Sequence, residues 1–235
     1  MKPAPNPSRK KSRQTTSKLD SLRGPRGTSG SLFHVKPSHA VWLRCARWAG
    51  CAPAPDQLDV LDRYRDWLLN EAVTAGGFGP NEAPRVDNRH IGDSLLFARG
   101  FEKPERILDV GSGVGLPGIP LSAVMPDTRF VLLDRSGRRV ELMRRVCRIL
   151  QLPNVEVIQE DIQEWDDKFD GIVSRACLSP EQAIGVFPRL LNPGGVAVLG
   201  GSWASPPSVS GFELLEVPAT VLDQRVWLLI MRPSE

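Results

Sequence analysis

The chain lacks the residues and spacings that would tie a fold together covalently or through a metal. Its four cysteines, Cys45, Cys51, Cys147 and Cys177, form no Cys-x-x-Cys pair, and no histidine stands at ligand spacing beside them. A disulfide framework and a zinc site are therefore not expected, and a reducing compartment suits the composition. No apolar run approaches the ~20 residues of a membrane-spanning helix. The early lysines are not followed by the apolar stretch of a secretory signal. No internal repeat is present. These absences lead us to expect a soluble cytoplasmic protein without membrane attachment. Its 235 residues suffice for one α/β domain and an appendage.

Net charge is also small, +3, but it is unevenly placed. Residues 1–40 carry nine Lys or Arg against the single acid Asp20, a local balance of +8, and the remainder of the chain carries −5. Rich in Pro, Ser and Gly and poor in apolar groups, residues 1–40 are expected to form a disordered basic tail. Such a tail attracts a polyanion. A solvated extension without a role fits the same composition.

What is present is a run of helix and strand signals. Residues 41–102 are expected to form a helical cap: a short helix over 41–51 with Trp42 and Trp48, a helix from Asp56, and a third helical piece over 88–96. In the second, Leu58, Leu61, Leu68 and Leu69 recur at three- and four-residue steps beside Tyr64 and Trp67. From residue 103 to 235, strands and helices alternate. Strands are expected at 106–110, 129–133, 154–158, 171–174 and 196–199. Helices are expected over 119–124, 137–150 (Leu142, Val146 and Ile149 facing inward) and 181–191. A closing hairpin uses 212–217 and 225–231. This order predicts an α/β fold with a mostly parallel seven-stranded sheet and an antiparallel C-terminal edge.

The first strand ends in Gly111, Gly113, Gly115 and Gly118, with the last three at the G-x-G-x-x-G spacing. Bare backbone at the carboxyl end of a parallel strand is where ligands approach an open α/β sheet. Alone, the spacing suits a dinucleotide as well. Asp109, two residues before the turn, could accept a hydrogen bond from a cationic amino-acid ligand. Acids also follow the second and third strands, Asp134 and Asp161, and Asn192-Pro193-Gly194-Gly195 precedes the fifth. Arg135, Arg138, Arg139, Arg144, Arg145 and Arg148 offer either a phosphate track or a solvated face.

Together these features resemble the Rossmann-like class I S-adenosylmethionine-dependent methyltransferases. More narrowly, residues 109–120 followed by Leu132-Leu133-Asp134, the segment from Phe169 to Ala176, Gly77 to Glu82, and Arg89-His90-Ile91 with Asp93-Ser94-Leu95 resemble the RsmG family, also called glucose-inhibited division protein B. The likeness spans about residues 56–235. It implies methylation of a guanine at N7 in the 530 loop of bacterial 16S ribosomal RNA, by a monomer acting on that RNA or on the small subunit. The resemblance further implies S-adenosylmethionine contacts at Asp109, Gly111, Gly113, Gly115 and Leu116, at Asp134 for the ribose, and at Asp161, Ile162 and Gln163 for the adenine. It places Arg175 at the reacting end, as a positioning group for cofactor carboxylate or guanine. The resemblance also implies that His90 and Asp93 belong to a segment that covers the cofactor, a histidine that only packs between helices being the alternative, and His90, Arg138, Arg139, Arg144 and Arg145 are candidate RNA contacts. A salt bridge from Arg175 to Asp109 or Asp170 is the plain structural alternative. Guanine N7 has a free lone pair and no proton to lose, so no general base is expected. Cys177 is expected to be structural.

The chain departs from the family pattern at Asp161 and Gln163, where a cation is lost, and at Gly200, where a lysine is replaced. Methylation of another RNA or of a small molecule, or a non-catalytic RNA-binding relic, therefore stays open from sequence. If the basic tail compensates for the lost cations, deleting residues 1–36 should weaken RNA binding at low salt. Unchanged affinity in a filter-binding assay would remove that role.

Overall fold

The structure, a computed structural model, describes residues 36–233. Most of the basic tail expected over residues 1–40 lies outside that range. Helix α1 (Pro37–Ala49) starts at a proline in its first turn and ends at Gly50, whose φ of 84° suits a glycine C-cap. Helix α2 (Pro55–Trp67) follows, with Gln57 Oε1 accepting from the Ala54 backbone N–H at 2.8 Å. Wide π-helical turns occupy Leu68–Ala72 and Val86–Gly92, with a 3₁₀ turn at Pro80–Arg85 before the second. Helix α3 (Asp93–Leu96) and a 3₁₀ turn at Phe97–Gly100 lead to the sheet.

The sheet then alternates as expected: β1 (Arg106–Val110), α4 (Gly118–Val124), β2 (Arg129–Asp134), α5 (Gly137–Leu150), β3 (Val155–Gln159), β4 (Phe169–Arg175), α6 (Pro180–Leu190) and β5 (Leu191–Gly200). After β6 (Glu213–Val217), a single helical turn, α7 (Ala219–Leu222), precedes β7 (Val226–Met231). Strand order is β3-β2-β1-β4-β5-β7-β6. β1 to β5 pair in parallel, and β7 is antiparallel to both β5 and β6. The C-terminal pair is thus antiparallel, as its spacing predicts. Its second strand, however, inserts next to β5 and leaves β6 at the edge. The reason is burial: Leu228, Leu229, Ile230 and Met231 are all at least 95% buried, whereas β6 has only Val217 buried.

The inward face of α5 also differs from expectation. Val140, Met143, Val146, Cys147 and Leu150 are buried, while Ile149 is 38% exposed. Three arginines and a cysteine fall inside the apolar series, so the sequence leaves the helix phase ambiguous by one position.

The helices before the sheet share its core. Trp42, Cys45, Leu61, Tyr64, Leu95 and Phe97 belong to one buried cluster with Ile107, Leu132, Val198 and Ile230. The 97–101 segment lies directly on the strands: a Cβ at Gly200 would sit 2.4 Å from Phe97 Cζ, and one at Gly171 would sit 2.7 Å from Phe101 Cε1. Only glycine allows this approach. Arg175, at the end of β4, reaches back to the start of α3, 3.3 Å from Asp93.

Because Trp42 is fully buried in this shared core, truncating it should destabilise the whole molecule. Trp42→Ala is expected to cost about 3–5 kcal/mol and to leave a single urea transition. A separate early transition of the helical segment would show that it folds apart from the sheet.

Candidate functional site

The glycine turn is held by backbone and carboxylate bonds. Gly111 and Ser112 N–H donate to the Leu133 carbonyl at 2.9 and 3.1 Å, tying the end of β1 to β2. Beneath the turn lies Asp109, with no exposed surface. Its Oδ2 accepts from Ser112 Oγ and from Gly118 N–H at 2.8 Å, and its Oδ1 has no partner among the described residues. Burial raises its pKa to about 6, against the Ser112 and Gly118 hydrogen bonds, which pull it down. Asp109 is therefore a brace under the turn and does not line the cavity above. Expected as a ligand contact, it is sealed off by the turn it supports.

That cavity, about 680 Å³, opens at the carboxyl ends of β1, β2 and β4. Gly111 (φ 69°) and Gly113 (φ 66°) form its floor in left-handed conformations that L side chains rarely adopt. A Cβ on Gly111 would lie 2.0 Å from Cys177 Sγ, whereas one on Gly113 would meet nothing nearer than 4.0 Å. Bare backbone thus faces the cavity at Gly113, and Cys177 packs over Gly111. Gly115 does not reach the cavity, because its Cβ position runs into Ile119. Leu116 and Val114 supply apolar wall.

Asp134, at the end of β2, stands at the cavity rim and is 4% exposed. Its Oδ2 accepts from Gly113 N–H at 3.0 Å and its Oδ1 from Ser136 N–H at 2.9 Å, with Arg139 3.6 Å away. A carboxylate can accept about four hydrogen bonds, so it keeps capacity for a diol. Beyond it, Asp161, Ile162 and Gln163 form the far wall; Gln163 N–H donates to Asp161 Oδ1 at 3.0 Å, and Ile162 is 8% exposed. Apolar slot, diol acceptor and bare backbone follow one another along the cavity, an arrangement suited to an elongated nucleoside ligand with an amino-acid end.

Arg175 closes the site on its other side. Its Nη1 donates to the Arg89 carbonyl at 3.1 Å and lies 3.3 Å from Asp93 Oδ2, while its Nη2 stands 3.5 Å from His90 Nδ1. The partner of Arg175 is thus Asp93, and neither Asp109 nor Asp170. Asp170 instead accepts from the Glu105 and Arg106 backbone N–H groups and from Asn192. His90 Nε2 is 2.9 Å from Glu82 Oε2. Burial first, and then the Arg175 charge, lower the His90 pKa to about 4. The imidazole is neutral near pH 7: it donates through Nε2 to Glu82 and offers Nδ1 to Arg175. The Val86–Gly92 π-helical turn, a distortion common at functional sites, carries both Arg89 and His90 to this point.

A second cleft of about 380 Å³ lies across the Arg175–His90 wall. His90, Arg175 and Ala176 line both cavities. Ala176, with φ 54° and its N–H on the Gly200 carbonyl at 2.9 Å, turns the chain between them. Trp203, Arg225 and Trp227 line the second cleft and were not singled out from sequence. The one available signal was the pair of tryptophans in segments flanking β6, far apart in the chain.

The remaining arginines lie elsewhere. Arg138 donates to the Ala75 carbonyl, Arg144 sits 3.2 Å from Glu141, and Arg145 sits 2.7 Å from Glu71. None of the three lines either cavity. Of the arginines expected to meet substrate, Arg139 reaches the rim through Asp134. Among the described residues no three His, Cys, Asp or Glu side chains converge as a metal-ligand set.

With this geometry in view, comparison with known proteins is decisive for the family. The family described as GidB, rRNA small subunit methyltransferase G, matches residues 57–204. The chain belongs to that family. Ribosomal RNA small subunit methyltransferase G of Mycobacterium leprae is 38% identical over 144 residues, covering 59% of this chain and 58% of that protein. The protein of the same name from Idiomarina loihiensis is 46% identical over 93 residues, covering 39% of this chain and 45% of its own length. The chain spans about half the length of the curated relatives it matches. Among solved structures it is similar to a ribosomal protein L11 methylase from Lactobacillus delbrueckii subsp. bulgaricus (TM-score 0.49, 19% identity, 62% of this chain and 79% of that one). It is also similar to TrmN from Thermus thermophilus (TM-score 0.46, 17% identity, 60% and 49%).

The His90 environment sets a pH expectation. Its folded pKa, about 4, lies below the ordinary 6.5, so the unfolded chain binds the proton more readily and stability falls as pH drops from 6.5 towards 4. Glu82, lowered first by the same hydrogen bond, acts in the same direction. Denaturant titrations should therefore show the stability difference between wild type and His90→Asn shrinking across that window. A constant difference would mean that His90 is not held neutral.

Proposed function

We propose that this protein is an S-adenosylmethionine-dependent methyltransferase that makes 7-methylguanosine in the 530 loop of 16S ribosomal RNA. It would act as a monomer in the cytoplasm, on the RNA or on the small subunit. The observation that carries this reading is that two cavities meet at one wall, His90, Arg175 and Ala176, in a chain of the GidB family. Among the described residues no helix is long and apolar enough to cross a membrane.

The residues present fit the cofactor. Gly111 and Gly113 would receive its amino-acid end, Asp134 its ribose hydroxyls, and Asp161, Ile162 and Gln163 its adenine. When bound, the sulfonium group supplies an electrophilic methyl. The chain's own task is then positioning, because guanine N7 presents a lone pair and no proton. Arg175 is anchored by Asp93 and the Arg89 carbonyl, and its planar guanidinium can pair with a carboxylate or with the O6/N7 edge of guanine. No base is needed. His90 is spoken for by Glu82 and Arg175. Cys177, whose pKa burial raises first, is a packing group over Gly111.

Labelled methyl from S-adenosylmethionine should enter small-subunit RNA and map by borohydride–aniline cleavage to one guanine N7 in that loop. The rate should be nearly flat over about pH 6 to 9, since no protein group must lose a proton. Arg175→Ala should lower kcat/KM about 100-fold through lost positioning. Absence of labelled RNA with the wild-type protein would refute the reading.

A further inference from the structure

The cleft beyond the Arg175–His90 wall has its own chemistry. At about 380 Å³ it falls in the range of small-molecule sites, ~300–1,000 Å³. That is room for one nucleoside, not for stacked base pairs. Two indoles line it. The Trp203 ring is laid over Gly201, where a Cβ would stand 2.9 Å from Cζ2, so this seat exists only because residue 201 has no side chain. Trp227 opens β7 opposite Glu216, with its indole Nε1 buried and without a partner among the described residues.

Cations stand at the mouth. Arg89 donates to Ser202 Oγ at 2.9 Å, linking the helical segment to the loop that carries Trp203. Arg225, 3.5 Å from Glu216, keeps 69% of its side chain exposed. The position at the end of β5 where the family resemblance leads one to expect a lysine is Gly200, and Phe97 occupies the space a side chain would need.

We propose that this cleft receives one unpaired purine of the acceptor strand, with Trp203 as its stacking face and Arg89 and Arg225 meeting the flanking phosphates. The inference rests on the RNA-methyltransferase reading above and adds how this chain grips its substrate. Stacking replaces the missing lysine. Aromatic stacking tolerates any base because every base has a π face, so selection of guanine falls to Arg175 at the inner wall. Entry of a single base also requires that it be out of its stack, which costs least where it is already unpaired. Structured duplex is therefore a poor acceptor.

The test uses the full chain and a fluorescein-labelled single-stranded oligoribonucleotide with one guanine, alone or annealed to its complement. Anisotropy reads binding without a methyl donor. The single strand should bind about tenfold or more tighter than the duplex. Trp203→Ala should weaken single-strand binding about tenfold or more and raise the RNA KM, with the donor KM unchanged. Trp203→Phe should restore most of the affinity, while Trp203→Leu, apolar but without a π face, should not. Far-UV circular dichroism and thermal unfolding check that each variant folds, and the Phe–Leu pair keeps the comparison available should Ala fail. Equal affinity for single strand and duplex, or a Leu variant that binds like the parent, overturns the assignment. Tight, Trp203-dependent binding by a protein that transfers no methyl supports the cleft and defeats the catalytic reading instead.

Discussion

A carboxylate with no exposed surface, lodged under a bend of glycines, is the interaction on which the site depends. Asp109 ties Ser112 and Gly118 to the end of β1, and the two left-handed residues above it owe their place to that anchor. Burying a charge is costly unless it is hydrogen-bonded, and one of its oxygens is left without a partner. A partly unsatisfied brace of this kind is tolerated where its neighbours over-determine it. Here they do: the Leu133 carbonyl holds two backbone N–H groups of the turn, and Tyr64 O–H donates to the Val114 carbonyl at 3.0 Å from the helical side.

That last bond shows that the helices ahead of the sheet are working parts of the site. Gly77, Phe78 and His90 line the larger cavity, and Phe78 meets the His90 ring edge-on at 4.7 Å. The Glu82–His90–Arg175–Asp93 series joins the helical segment to the end of β4 through alternating acidic and basic side chains. Burial leaves the imidazole neutral near pH 7, so His90 adds no charge of its own beside Arg175. The wall between the two cavities thus holds Arg175 against Asp93 with a neutral imidazole beside it, an arrangement suited to holding reactants in line.

Much of this was legible in the sequence, for physical reasons that differ by element. The parallel strands read clearly because β1 and β2 are nearly continuous apolar runs ending at glycine or aspartate, the pattern of strands covered on both faces. Asp134 and Asp161 were marked by strand ends, whereas Ile162 and Gln163 came only from the family resemblance. The phase of α5 was misread at Ile149, where arginines interrupt the apolar series and neighbouring helical positions differ little in pattern. The place of β7 inside the sheet was hidden because a hairpin specifies only which strands pair, not which one turns inward. The partner of Arg175 and the second cleft were invisible for a different reason. Each brings together residues more than 80 positions apart, and periodicity carries no information over that span.

The contact between Gly200 and Phe97 has a consequence for how such a chain can change. Since any side chain at 200 would collide with the buried ring, the two positions cannot drift independently: a cation at one site demands a smaller residue at the other in the same step, or nearly so. Each single replacement passes through a crowded or hollow intermediate, and both are penalised.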